Sequence, residues 1–431
     1  MYCPTGQIRS RPGQDCQILT QSGEWWKRRR GSSDGWLNWG LPFRERRRVW
    51  HYADWADTGK RVLYLREAVQ EKQLCLYGPV LLASGGMSGL FPGHATGTLK
   101  NGGSAAAVVF SQGVEFGNLE FIQYHPTTVP VSGKNLLISE AARSEGGRLY
   151  IERNGVPWYF LEELCGPEGN LVSRDLAVRK MYEVCSRPDC RPPVYLDMRE
   201  IPEVAWQKRL EGIKEECGKF LNINPEKTPV PIEPAVHYFM GGILVDERHR
   251  ANKNFLYAVG ERACQYHGAN RLGGNSMLGA LYGGKVAART AVEELEKYRA
   301  AACGFQEKGN IPEKNFETQR EDGALRRRTE EILSGCMGTV REETELQKAV
   351  RELEKMWKRE HLAPEERNRI LLVSAMVMSA LERRESRGAH IRSDYPDARP
   401  EFQKSTAAYF DGKQVRIRFR DIPADREAGN V

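Results

Sequence analysis

The 431-residue sequence predicts an α/β fold that carries an α+β insertion and closes on a helical bundle. Short apolar segments run into glycine at two distant places, Leu76 to Ala83 before Ser84-Gly85-Gly86, and Phe255 to Glu261 with Gly260. That is the pattern of buried strands delivering backbone to a sheet edge. Between them, residues 126–233 change character, with prolines and amphipathic helices, before apolar sequence returns at Ala235 to Val245. From Pro312 to Arg387 apolar residues recur every three to four positions, the period of helices packed on one face.

Taken in order, residues 1–54 are rich in Gly, Arg, Trp and Ser without a period, which predicts little regular structure. Val62, Leu63, Leu65 and Val69 predict a helix from Asp57 to about Lys72, followed by a strand from Leu76 to Ala83. The run His94 to Gly103 opens a helix of small residues, Ala105 to Phe110, whose N-terminus suits an anionic group. In the insertion, Arg148 to Arg153 reads as a strand, and Arg174 to Cys185 and Val204 to Phe220 as helices. Leu346, Val350 and Leu353, then Ile370 to Leu381, mark the bundle. Alternation on both sides of Asp411-Gly412 marks a terminal hairpin. The expected units are an irregular stretch at 1–54, one α/β domain from 55–125 and 234–300, an inserted domain at 126–233, a helical domain at 312–395, and a hairpin and tail at 396–431.

Composition narrows the class. Lysine and arginine total 64 against 57 acidic residues, a mild excess spread along the chain, which fits anionic small molecules and excludes a nucleic-acid footprint. Two basic clusters, Lys27 to Arg30 and Arg44 to Arg48, read as a solvated face. The ten cysteines contain no Cys-x-x-Cys pair, so no metal or iron–sulfur ligand set is expected, and reduced buried thiols are. No signal peptide and no membrane-spanning run is visible.

Several short motifs carry chemistry. Glu261 closes an apolar strand, and Arg271 sets a planar, fork-shaped cation among glycines in His267-Gly-Ala-Asn-Arg-Leu-Gly-Gly274. His125, held extended before Pro126, is either presented to a ligand or packed as a structural histidine. Glu140 and Arg143 lie one helical turn apart and can pair, as any surface pair can. Arg174 opens a helix, where the macrodipole disfavours a cation; a ligand or a plain contact with Asp175 would account for it. His237 stands in Val236-His-Tyr-Phe-Met-Gly-Gly242.

In this order and spacing the motifs resemble the succinate dehydrogenase and fumarate reductase flavoprotein family, which also contains L-aspartate oxidase. The resemblance runs from about residue 55 to 420 and includes Glu385-Ser-Arg-Gly-Ala-His390 and Asp394-Tyr-Pro396. It implies an incomplete FAD-binding Rossmann-like domain, an inserted substrate (capping) domain and a C-terminal helical bundle. The implied function is FAD-dependent interconversion of fumarate and succinate, by hydride transfer at flavin N5 with Arg174 as proton donor, resupplied through Glu140 and Arg143. His125, His237, Arg271 and Ser139 are implied to bind the dicarboxylate; Ser84, Gly85, Gly86, Thr96, Gly97, Glu261, Asn275, Ser276 and Leu278 are implied to hold FAD. It further implies an iron–sulfur or other electron-transfer partner, and a cytoplasmic place or a peripheral one at a membrane through that partner. The alternatives are an L-aspartate oxidase-like enzyme and a truncated, non-catalytic homologue that binds FAD poorly. The sequence motivates the last: it has no Gly-x-Gly-x-x-Gly, the family's diphosphate fingerprint. The first βαβ unit is thus expected to be missing, as are strands between Lys72 and Leu76 and the flavin-attaching histidine of respiratory members.

Overall fold

The computed structural model describes residues 79–301 and 323–421, with the backbone of 50–52, 62–67 and 73–77. The irregular N-terminus expected at 1–54, apart from that one strand, and the final tail lie outside the described residues.

The first elements are β1 (Trp50–Tyr52), β2 (Val62–Glu67), β3 (Gln73–Tyr77) and β4 (Val80–Leu82). β1 to β3 form an antiparallel sheet in sequence order. The segment expected to be a helix at 57–72 thus contains a strand, and the strand expected from Leu76 begins at Gln73. Four apolar residues in so short a run satisfy both periods, and pairing of 62–66 with 73–77 selects the extended form. The single strand expected over 76–83 is divided between β3 and β4, which belong to different sheets.

Next come α1 (Ser104–Ser111), β5 (Phe116–Gly117), β6 (Ile122–Val131), β7 (Lys134–Leu137) and α2 (Ala141–Ser144). They are followed by β8 (Arg148–Arg153), β9 (Val156–Trp158), α3 (Phe160–Cys165), α4 (Arg174–Cys185) and β10 (Cys190–Asp197). α5 (Glu203–Ala205) passes through a π-helical turn, Trp206–Leu210, into α6 (Glu211–Leu221). β11 (Val230–Phe239) completes a six-stranded antiparallel sheet of order β7-β6-β11-β10-β8-β9. Its core is a separate cluster that includes Leu149, Phe160, Met181, Leu196 and Trp206.

β12 (Gly242–Leu244), β13 (Leu256–Ala258), β14 (Ala263–Cys264) and the long α7 (Asn275–Ala301) return to the first unit. β13 pairs in parallel with β4. α8 (Gly323–Cys336), α9 (Glu343–Trp357) and α10 (Pro364–Glu382) are the expected bundle, and β15 (Lys404–Phe410) with β16 (Val415–Asp421) the expected hairpin. α10 is apolar nearly all round because it is central: it packs on α1, α8, α9 and the hairpin. Its Ile370, Leu372, Val373 and Met376 join Phe110, Phe116 and Phe239 in the largest core cluster. A five-stranded sheet, β14-β12-β5-β15-β16, ties the hairpin to the first unit.

Candidate active site

β6 and β11 run antiparallel and together carry three polar side chains inward. Gln123 and His125 lie two residues apart on β6, hence on one face, and both are wholly buried. Tyr124 points the other way and donates to the Met337 carbonyl at 2.8 Å. His125 Nδ1 accepts from the Thr127 amide at 3.3 Å, while the Thr127 hydroxyl donates to the Ile138 carbonyl at 2.8 Å. The neutral tautomer so fixed carries its proton on Nε2, 3.5 Å from Glu140 Oε2. Burial, with Arg174 acting in the same direction, brings the His125 pKa down to about 4, so the ring is neutral at pH 7.

His237, on β11, meets His125 edge to face with ring centres 5.1 Å apart. Its Nδ1 lies 2.9 Å from Thr96 Oγ1. Burial, then the neighbouring His125, Arg174 and Arg271, hold it far below the usual histidine range. Two buried neutral imidazoles suit hydrogen bonding to an anion without adding charge.

Glu140 immediately precedes α2, and its two oxygens are divided between two arginines. Oε1 accepts from Arg143 Nε at 2.7 Å, and Oε2 from Arg174 Nε at 2.7 Å. Burial works to raise this carboxyl, but the hydrogen bond from His125 and the charge of Arg143 outweigh it, and the group is held far below the carboxylate range. Arg143 also donates to the Asn170 and Val172 carbonyls, at 2.8 and 3.2 Å. It thereby fastens the segment that leads into α4 and presents Arg174, the first residue of that helix.

Arg174 and Arg271 converge on a single oxygen. Arg174 Nη1 donates to Gln123 Oε1 at 3.1 Å and Arg271 Nη2 donates to the same atom at 3.0 Å. Arg271 is buried, rests 4.2 Å over the Tyr238 ring, and its Nε has no hydrogen-bond partner among the described residues. A buried guanidinium N–H without an acceptor is uncommon and marks a polar site. Gly273 adjoins Arg174, since a Cβ there would stand at ordinary contact distance, 3.5 Å, from Arg174 Nη2.

Ser139 is not joined to the cluster. It is exposed, and its Oγ accepts from the Ala141 amide at 3.3 Å, which makes it a capping group at the start of α2. Thr96, expected on the cofactor side, stands against His237, and neighbouring Gly97 packs on the Ser88 side chain.

The remaining residues form a second region. Glu261 Oε1 accepts from the Phe239 amide at 2.9 Å, and burial raises this carboxyl above its ordinary value. Gly86 lies so close that any Cβ would collide with the Glu261 carboxyl and the Phe239 ring. Arg262 reaches back under β4, from Nε to Ser84 Oγ at 3.0 Å and from Nη2 to the Gly86 carbonyl at 2.8 Å. Asn275 and Ser276 open α7, and Met277, Leu278 and Leu281 beside them are each about two-thirds exposed (67, 67 and 66 %). Close-approaching glycines, an amide-bound carboxyl and an open apolar helix face fit the ring-and-ribityl half of FAD. The diphosphate half finds no comparable cradle among the described residues.

Gln123, Asn270, Asp175 and Tyr238 are part of the site but are not singled out by the sequence. The signal for Gln123 was its two-residue spacing from His125; Asn270 and Asp175 each adjoin an arginine that was recognised.

Residues 67–277 match the family model described as FAD binding domain, and 361–427 that described as fumarate reductase flavoprotein C-term. The chain is 36% identical over 361 residues to the succinate dehydrogenase flavoprotein subunit of Bacillus subtilis, covering 76% of this chain and 61% of that one. It is 34% identical over 347 residues to the L-aspartate oxidase of Pyrococcus horikoshii, covering 78% and 65%. Among solved structures, the FrdA chain of E. coli quinol fumarate reductase aligns with a TM-score of 0.73 at 25% identity, over 88% of this chain and 72% of that chain. The chain thus spans slightly less than two thirds of the length of these two sequence relatives.

Proposed function

The chain belongs to the succinate dehydrogenase and fumarate reductase flavoprotein family, a family of FAD-dependent oxidoreductases, and from that premise we propose that it interconverts fumarate and succinate. The observation that carries the reading is the convergence of Arg174 and Arg271 on Gln123 Oε1, beside His125 and His237. Two cations and two neutral imidazoles in one buried space are suited to a small dianion.

Adding hydrogen across a carbon–carbon double bond takes one hydride and one proton. FAD, when bound and reduced, would supply the hydride in this chemistry and be left oxidised. The chain's own residues would do the rest. Arg271 would pair with one carboxylate through its guanidinium and fix the plane of the substrate. His237 and His125 donate to the carboxylates as neutral rings and polarise the alkene.

Arg174 holds the proton for the second carbon. An arginine is a weak acid, with a free pKa above about 12, so it serves only if its proton returns at once. Glu140 Oε2, 2.7 Å from Arg174 Nε, is placed to return it. With 28% of its side chain exposed, against 3% for Arg143, Glu140 is also the member of the pair that meets solvent. Arg143 holds Glu140 in position from its other side. Electrons would come from a partner subunit; among the described residues there is no group of side chains able to hold a metal and no helix able to cross a membrane.

The relationship to L-aspartate oxidase favours a second reading, oxidation of a C4 amino dicarboxylate in the same frame. The purified chain, incubated with FAD and desalted, separates the readings. Retained flavin absorbance with fumarate-dependent oxidation of a reduced viologen supports the first; aspartate-dependent flavin bleaching without fumarate turnover supports the second. A chain that stays colourless sinks both and leaves a non-catalytic homologue.

A further inference from the structure

We propose that Gln123, with Asn270 and Asp175, is a spacing element that sets the chain length of the diacid the site accepts, an inference that rests on the dicarboxylate reading above. Among the described residues, Gln123 Oε1 is the one acceptor shared by Arg174 and Arg271, at 3.1 and 3.0 Å. Two like charges are therefore held on either side of a single neutral oxygen, and their separation is set by that oxygen.

The amide cannot turn over. Its Nε2 donates to Asn270 Oδ1 at 2.9 Å and to the Arg271 carbonyl at 2.7 Å, so a flip would press N–H groups against both guanidiniums. Asn270 is held in turn, because its Nδ2 donates to Asp175 Oδ1 at 2.5 Å. Asp175 adjoins Arg174 on α4, and Asn270 adjoins Arg271 before α7. The hydrogen bonds thus close a ring through β6, the start of α4 in the insertion and the segment before α7. Gln123 itself is wholly buried.

The two arginines have different tasks, one binding a terminal carboxylate and the other protonating a carbon along the chain. Their separation selects which carbon lies opposite Arg174. A five-carbon diacid paired with Arg271 would misplace that carbon. Gln123 is on this account a positioning residue.

The test is calorimetric titration of the purified chain with succinate and with glutarate. The wild type should prefer succinate by about tenfold, the scale of one misplaced methylene. Gln123→Ala should bring the two dissociation constants to within about twofold while retaining binding, because both arginines remain. Asn270→Asp sets two carboxylates against each other and should have the same effect. The pair D175N/N270D restores one donor and one acceptor with reversed polarity and should recover the preference, which a general loss of fold would not allow. Equal weakening of both acids by Q123A, with the ratio kept, would overturn the inference and leave Gln123 a structural residue. Binding of neither acid by the wild type would overturn the dicarboxylate reading, and this inference with it.

Discussion

Arg383 Nε donates to Glu120 Oε1 at 2.7 Å, with both side chains wholly removed from solvent. Arg383 directly follows α10 and Glu120 stands just before β6, 263 positions away, so the bond joins the bundle to the strand that bears the site. The pair is saturated. Arg383 also reaches Glu385 Oε1 at 2.8 Å and the Phe402 and Lys404 carbonyls, while Glu120 Oε2 accepts from Thr406 Oγ1. Removing one partner strands a buried charge, which costs about 3–5 kcal/mol, whereas removing both costs less. Arg383→Met should therefore lower the denaturant midpoint sharply, and E120M/R383M should be the more stable of the two variants. The reverse order would show that the charges are better solvated than the geometry indicates.

Stability should fall between pH 7 and pH 5. His125, with a pKa near 4, and His237, lower still, are buried as neutral rings. Below the free histidine value of about 6.5 the unfolded chain takes up protons that the folded chain refuses, so stability is lost as pH drops toward the folded values. His249, His267 and His390, also held down chiefly by burial, add to the slope. Glu140 works in a lower window: its contribution is full above the free carboxylate pKa of about 4.3 and fades only beneath it. Denaturant titrations at several pH values should show the loss, with a shallower slope for His125→Gln and His237→Gln. An unchanged slope in both variants would remove these two rings from the account.

Arg174→Ala should reduce fumarate turnover by about 10²–10⁴, the usual worth of a positioned acid, with flavin content unchanged. Flavin absorbance and viologen oxidation on one preparation check both halves. Activity that survives would return Arg174 to the role of a plain carboxylate ligand.

Gly86→Ala should cost about 1–3 kcal/mol, the range for forcing atoms into a packed site. The new methyl would have to displace the Glu261 carboxyl or the Phe239 ring. Thermal melting with and without FAD should show a lower midpoint and a smaller ligand-induced rise. An unaltered rise would place Glu261 outside the flavin contact.

Elements set by local pattern were legible in the sequence: the small-residue helix α1, the amphipathic α9 and the Asp411-Gly412 hairpin. The stretch 57–72 was not, since its spacing serves helix and strand alike and only pairing with β3 decides. Within the site, His125, Arg174 and Arg271 stood out because each is a chemically loaded residue next to proline, at a helix start or among glycines, whereas His237 stood out through the family resemblance. Gln123 did not, because a glutamine declares no chemistry until two arginines from distant segments are brought to its oxygen. Ser139 was read with its neighbours, and in the fold its hydroxyl accepts from the Ala141 amide at the start of α2.

β5 is a two-residue strand flanked on one side by β12 and on the other by β15, where Phe116 and Gly117 face Ala408 and Ala407. An inner position of that sheet is therefore taken by a segment synthesised long after β5. Until about residue 410 has been synthesised, one edge of β5 has no partner, and the backbone groups that Thr406 will meet stay exposed. Such distant pairing is slow to form and open to misassembly while it waits. A nascent chain of this protein would depend on protection from a chaperone to a degree that its helical bundle alone would not require.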